Sequence, residues 1–193
     1  MMRLPVSNEF HITAAYGETG SLWKNGHKGI DFVTTDKKIY SPCDGTVRVI
    51  AFDEDGWGQY ISIGDADGRH HILCHLVKGS VLVKTGQKIK KGTHIATMGA
   101  TGNVTGVHLH YQVNIDGLPV NPAVLLGIEN KRGVYTMARY NDDAAISSWA
   151  RDAVEKVSAA GLMEGDEKGN FNPKESLTRE QAAVILARLI SKE

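Results

Sequence analysis

The sequence predicts a mainly β domain, a sandwich or barrel of short strands, followed by a small α-helical module. Three observations carry that prediction. Up to about Leu126 the chain is rich in glycine and β-branched residues, and its apolar runs are short: Gly45 to Phe52, Gln59 to Ile63, His70 to Leu76 and His94 to Met98. Asp65-Ala-Asp-Gly68 and Ile115-Asp-Gly-Leu118 supply hairpin signals between such runs. Beyond residue 140 the apolar period becomes helical. The expected division is a first domain over 1–127, a linker of mixed composition over 128–140, and a module over 141–193.

Composition narrows the function. With 193 residues, 41% of them hydrophobic, the chain can bury one ample core and a small second one. A formal net charge of zero argues against a nonspecific nucleic-acid binder, and no apolar run approaches a membrane span. The opening Met-Met-Arg-Leu-Pro-Val-Ser-Asn-Glu9 lacks the apolar core of a secretory signal, so the expectation is a product of the cytoplasm that leaves by another route. Cys43 and Cys74 are expected to be two buried thiols rather than a disulfide.

The first element with chemistry is Gly106-Val-His-Leu-His-Tyr-Gln-Val113. Val107, Leu109, Tyr111 and Val113 take one parity and His108, His110 and Gln112 the other, so a strand here turns both imidazoles to one face. One pleat apart, about 7 Å along a strand, they can share one small site. The economical use is one metal ligand and one residue acting on what the metal binds. His27-Lys-Gly-Ile-Asp31 adds an imidazole and a carboxylate, brought together by a turn around Gly29 and a strand starting near Asp31. His27 and Asp31 with one of the two strand histidines make a first shell for Zn²⁺ that leaves the fourth position open. In Arg69-His-His-Ile-Leu-Cys-His75, His75 closes a strand, and His71 shares its parity and is expected on the same groove. His11, His70 and His94 are read as surface or partly buried residues. Gly99-Ala-Thr-Gly-Asn-Val-Thr-Gly106 lacks the Lys-Ser/Thr ending of a phosphate loop and enters a strand, so it reads as a tight turn bordering the groove.

These residues, with Tyr16-Gly17, Ser41-Pro-Cys-Asp-Gly-Thr-Val47, His75-Leu76, Val83-Lys-Thr-Gly-Gln-Lys-Ile-Lys-Lys-Gly92 and Asn121-Pro122, run in the order of a known family. From about Phe10 to Leu126 the chain resembles the lysostaphin-type, or LytM-like, zinc metalloendopeptidases that cut peptidoglycan peptides. The resemblance implies a β-sandwich or barrel-sandwich hybrid and one Zn²⁺ held by His27, Asp31 and His110. It also implies that His75 and His108 are unliganded catalytic imidazoles. Tyr16, His71 and Asn103 are the candidates for substrate contact. Two positions depart from the family: Leu73 stands where tyrosine is frequent, and Cys43 where a small residue like alanine is. The implied mechanism is attack by metal-activated water, with His108 as general base and His75 orienting water or stabilising the tetrahedral oxyanion.

In the tail, Ile146, Trp149, Ala150, Ala153, Val154 and Val157 fall at helical spacing, with Gly161 placed as a left-handed cap. Thr178-Arg-Glu-Gln181 is a capping box opening a second helix through Ile190, with Leu177 placed as its staple. Asp166-Glu-Lys-Gly-Asn170 lacks the ligand alternation of a calcium loop and reads as a turn. With Tyr140-Asn-Asp142, Trp149-Ala150, Gly161-Leu-Met-Glu-Gly165 and Gly169-Asn-Phe-Asn-Pro173, this stretch resembles a single S-layer homology module. That resemblance implies binding to secondary cell-wall polysaccharide. Arg179, whose fork suits carboxylates, is either the anion contact or a residue packed at a helix start. Trp149 is expected in the module's core. A lone module is small for an independent core, so homo-oligomers through the tail are expected. The combined expectation is a peptidoglycan hydrolase with a wall anchor, delivered as a phage endolysin. The alternatives are a secreted autolysin, a zinc peptidase acting on proteins, and a non-catalytic wall-binding or regulatory protein on the same fold.

Overall fold

Short alternating runs and tight turns produce a sheet of many short strands. A computed structural model describes residues 2–21, 23–136 and 140–191, in two compact units, Met1–Thr136 and Met137–Glu193. The first contains β1 (Glu9–Ala14), β2 (Ile30–Val33), β3 (Lys38–Tyr40), β4 (Gly45–Asp53), β5 (Gly58–Gly64) and β6 (His70–Leu76). It continues through β7 (Lys88–Ile89), β8 (His94–Thr97), β9 (Leu109–Ile115), β10 (Leu118–Val120), α1 (Pro122–Leu126) and β11 (Gly133–Thr136). Nine of these strands form one antiparallel sheet in the order β11-β1-β2-β9-β6-β5-β4-β7, with β10 also paired to β9, while β3 and β8 form a second sheet. Neither sheet closes on itself, so the fold is an open layered one rather than a barrel.

The central strand β9 separates core from chemistry by parity. Leu109, Tyr111 and Val113 are fully buried on one face, and His110 and Gln112 point to the other. The small sheet adds the fully buried Ile39, Ile95 and Ala96 to the core. Hairpins form at both expected places. Asp65 Oδ1 accepts the backbone N–H groups of Asp67 and Arg69, each at 2.9 Å, in the β5–β6 turn, and Ile115 pairs with Leu118 across Asp116-Gly117. Cys43 and Cys74 are both buried and free.

Part of the segment expected to be a linker is a strand instead. Gly133 to Thr136 pair with Ile12 to Glu9, and the Tyr135 ring stacks on Phe10 with centroids 5.4 Å apart. Four residues are too few for an alternating pattern to register against the mixed sequence around them, and pairing with β1 decides the structure. Residues 137–139, at the end of that segment, lie outside the described residues.

The second unit has two 3₁₀ turns, Asp143–Ala145 and Ser148–Ala150, then α2 (Arg151–Ala159) and α3 (Arg179–Ile190). The regular helix therefore starts five residues later than the Ile146 periodicity suggests. Trp149, expected in the core, is 85% exposed because it sits in a 3₁₀ turn and not on the inner face of α2. Gly161 takes φ +63° and its N–H bonds the Ser158 carbonyl, while Leu162 N–H bonds Val157, the paired bonds of a Schellman cap. Thr178 and Gln181 form the reciprocal capping box at the start of α3. Asp166 sits inside its turn, accepting backbone N–H bonds from Asn170 at 2.8 Å and Lys168 at 2.9 Å and side-chain bonds from Asn170 and Asn172, which hold its carboxyl down at about 2.

Gly29 is a position where no side chain fits. A Cβ there would lie 2.4 Å from the Tyr111 carbonyl oxygen and 2.8 Å from His110 Cε1. Gly29→Ala is expected to cost about 2 kcal/mol of stability, lowering the thermal midpoint in calorimetry, and to loosen His110 so that metal affinity falls in the same variant.

Candidate metal centre and groove

Three side chains distant in sequence converge because β2 and β9 pair in a register that sets Asp31 opposite His110. His27 reaches the same point from the loop before β2, where its backbone N–H bonds the Glu18 carbonyl at 2.8 Å and its carbonyl accepts from Gly17 at 2.8 Å. His27 Nδ1 lies 3.0 Å from the Ala15 carbonyl, which can only accept, so the proton sits on Nδ1 and Nε2 offers a lone pair. That Nε2 is 3.1 Å from Asp31 Oδ1 and 3.0 Å from His110 Nδ1, which is 2.9 Å from Asp31 Oδ1. All three residues are buried. Burial alone would raise the Asp31 carboxyl, but the facing ring nitrogens of His110 and His27 outweigh it and hold the group well below the usual carboxylate range.

This donor set fits zinc. Donor atoms 2.9–3.1 Å apart approach the roughly 3.3 Å edge of a tetrahedron with metal–ligand distances near 2.0 Å. Two imidazoles and a carboxylate are also the chemistry of a catalytic zinc shell. Gln112, on the same face of β9, places Oε1 3.4 Å from His110 Nε2, while its own amide donates to Asn114 Oδ1 at 2.8 Å. Gln112 can therefore accept a hydrogen bond from the Nε2–H when His110 turns the Nδ1 lone pair to a cation.

Two more imidazoles face this centre. His75 has φ +62°, a left-handed conformation that breaks the alternation of β6 at its end. Its ring lies 4.8 Å from that of His108 and 6.0 Å from that of His110. His75 Nδ1 is 3.0 Å from the Thr101 carbonyl and His108 Nδ1 is 2.9 Å from the Gly106 carbonyl, so each ring carries its proton on Nδ1 and presents a bare Nε2. Burial pushes His75 down to about 4, which keeps it neutral at neutral pH. His108 Nε2 lies 3.8 Å from Asp31 Oδ2.

The five residues line a cavity of about 500 Å³ together with Glu18 to Ser21, Trp23 and Asn103 to Thr105. Asn103 is exposed and lines that cavity. Tyr16 is not on the groove: its hydroxyl donates to the Pro119 carbonyl at 3.0 Å, tying the loop after β1 to β10. His71 is not there either. The left-handed turn at His75 means that shared parity no longer means a shared face, and His71 lies fully buried beside Tyr111. Its Nδ1 is 2.8 Å from the Tyr111 hydroxyl and its Nε2 3.1 Å from Asp65 Oδ2. Sequence reasoning missed Ala15, Thr101 and Gly106, which act through backbone carbonyls and so leave no side-chain signature. It also missed Gln112, which the parity of β9 could have flagged.

Residues 25–122 match Peptidase family M23, half of the chain. The chain belongs to peptidase family M23. The match to this M23 chain continues among solved structures. A zinc-containing peptidase from Vibrio cholerae is 33% identical with a TM-score of 0.54, over 61% of this chain and 37% of that one. The catalytic domain of lysostaphin from Staphylococcus simulans is 26% identical with a TM-score of 0.53, over 58% of this chain and 89% of that one. Among curated proteins, the peptidoglycan DD-endopeptidase ShyC of Vibrio cholerae is 34% identical over 118 residues, 61% of this chain and 26% of that protein. The M23 chain thus spans about a quarter of the length of the curated relatives it matches first. Residues 139–183 match the S-layer homology domain.

The two kinds of histidine separate by metal content. His110→Ala and Asp31→Asn should lose bound zinc, whereas His75→Ala and His108→Ala should keep one equivalent by elemental analysis. Gln112→Ala should retain the ligands but weaken zinc binding by about tenfold to a hundredfold in a chelator competition.

Proposed function

We propose that this M23 chain is a zinc-dependent peptidoglycan endopeptidase held on the cell wall by its S-layer homology domain. The observation that carries the reading is one groove in which His27, Asp31 and His110 converge while His75 and His108 present unprotonated Nε2 atoms beside them. Zinc bound by the three ligands would supply Lewis acidity toward the scissile carbonyl and toward water. His108 is the residue suited to take a proton, because its ring is only partly buried and its bare Nε2 faces the groove, 3.8 Å from Asp31 Oδ2. His75 is ill suited to hold a proton at neutral pH, since burial keeps it at about 4. Its bare Nε2 instead accepts a hydrogen bond from the attacking water and orients it. The proton taken by His108 as the C–O bond forms is returned to the leaving amine nitrogen as the C–N bond breaks, which restores the neutral ring. A scaffold protein of the same fold has no need of this complete set, so the enzyme reading is favoured over a non-catalytic one.

Wall attachment rests on the S-layer homology match and on Arg179, which is exposed as the first residue of α3, where unpaired backbone N–H groups also favour an anion. The expected ligand is an acidic secondary cell-wall polysaccharide. Self-association through the tail is part of the proposal: α3 buries none of its residues and exposes Val184, Leu186, Leu189 and Ile190. A wall hydrolase joined to a wall anchor suits a phage endolysin, which should lyse a host when produced with a membrane pore-former and not when produced alone.

Mass spectrometry of purified peptidoglycan digested by the chain should show new peptide termini, with the D-alanyl cross-link the first bond to inspect. A chelator should abolish them and zinc should restore them; wall binding without release of peptides, or equal digestion of casein, would overturn the assignment. Arg179→Ala should lower retention on polysaccharide-bearing walls by about tenfold and leave peptide release from soluble fragments intact.

A further inference from the structure

The rim of the groove carries a cation that the M23 match does not supply. Arg132 lies ten residues beyond the matched segment and immediately before β11. The β1–β11 ladder ends with Ile12 opposite Gly133, so the next step sets Arg132 beside Thr13 and Ala14 at the groove's edge. Glu18 holds it there. Arg132 Nε donates to Glu18 Oε2 at 3.0 Å and an Nη2 N–H donates to Oε1. Glu18 is itself fixed: its carboxylate accepts the Ala15 N–H at 3.1 Å and its carbonyl accepts the His27 N–H at 2.8 Å.

A guanidinium has five N–H donors in a planar fork, and this pair uses one edge of it. The Nη1/Nη2 edge has no other partner among the described residues. Arg132 is also the one Lys or Arg among the described residues that line the groove, where, apart from the carboxylates of Glu18 and Asp31 and the four histidines, the polar lining is the neutral Thr13, Thr19, Ser21, Asn103 and Thr105. A guanidinium already oriented by one carboxylate loses little freedom on binding a second through its free edge. The nearby metal centre, with its net positive charge when loaded, offsets the charge that a second carboxylate brings.

Building on the endopeptidase reading, we propose that Arg132 is a specificity-determining residue that binds a free carboxylate of the substrate peptide strand, with Glu18 as its positioning residue. The consequence is a preference for wall peptides whose side carboxylates are free over those in which they are amidated.

The test uses the full zinc-loaded chain and two synthetic cross-linked stem peptides of one sequence, with side carboxylates free or amidated. The wild type should favour the free acid by about tenfold or more in kcat/KM. Arg132→Ala should bring that ratio close to one, Arg132→Lys should restore part of it, and Glu18→Gln should lower it. A purely structural role would lower both rates and leave the ratio unchanged, which would overturn the assignment, as would a wild type without preference. The dissociation constants of both peptides for His75→Ala chains, with and without Arg132→Ala, provide a second reading that needs no turnover. If the wild type cleaves neither peptide, the hydrolase reading falls, and the ratio of dissociation constants alone then upholds or refutes Arg132 as a carboxylate site.

Discussion

The pairing of β2 with β9 is the constraint on which the site depends. Antiparallel pairing fixes not only which strands are neighbours but which residues face each other, and a slip of one residue would turn Asp31 and His110 to opposite faces. The register is locked from the other side of the sheet. Ile30, Phe32, Leu109 and Tyr111 are fully buried there, so any slip would expose the largest apolar side chains of both strands. The hydrophobic effect on one face thereby holds a polar, charge-bearing cluster in place on the other. Gly29 completes the device, because the backbone must pass against Tyr111 and His110 closely enough that even a methyl group collides.

Backbone carbonyls set the protonation pattern of the groove. Ala15, Thr101 and Gly106 each accept a hydrogen bond from the Nδ1–H of one imidazole, which leaves His27, His75 and His108 with Nε2 lone pairs directed at the same space. His110 is turned the other way and approaches through Nδ1, with Gln112 behind it. The four histidines thus present different ring nitrogens according to what lies behind each ring. His108 has a carboxylate oxygen 3.8 Å from its Nε2, and His75 is the more deeply buried of the two. The left-handed backbone at His75 is what brings that ring to the metal side; it is a residue other than glycine in a conformation glycine favours, which costs free energy that the surrounding strands and the bond from His75 N–H to the Trp57 carbonyl offset.

Much of the centre was legible in the sequence. Alternation in Val107 to Val113 foretold that His108 and His110 share a face, and Gly29 between His27 and Asp31 foretold a turn feeding a strand. Hairpins at Asp65 and Asp116, the Gly161 cap and the Thr178 capping box all follow from local rules and appear where those rules place them. The misplacements share one cause. His71 and Trp149 were assigned faces by extending a period through a point where the period breaks, at the left-handed His75 in one case and at a 3₁₀ turn in the other. Tyr16 was placed by its motif, but its hydroxyl is claimed by Pro119, more than a hundred residues away in sequence.

Sequence alone therefore determined which side chains carry the chemistry and the local turns and strands on which they ride, because those depend on residue type and short-range periodicity. Tertiary structure decided which of them meet. It assigned Asp31 to His110 through strand register, recruited the 133–136 strand to the sheet edge, and drew Arg132 to Glu18 across 114 residues. Those outcomes depend on strand pairing between distant segments and on backbone carbonyls, and neither is encoded in the identity of any one residue.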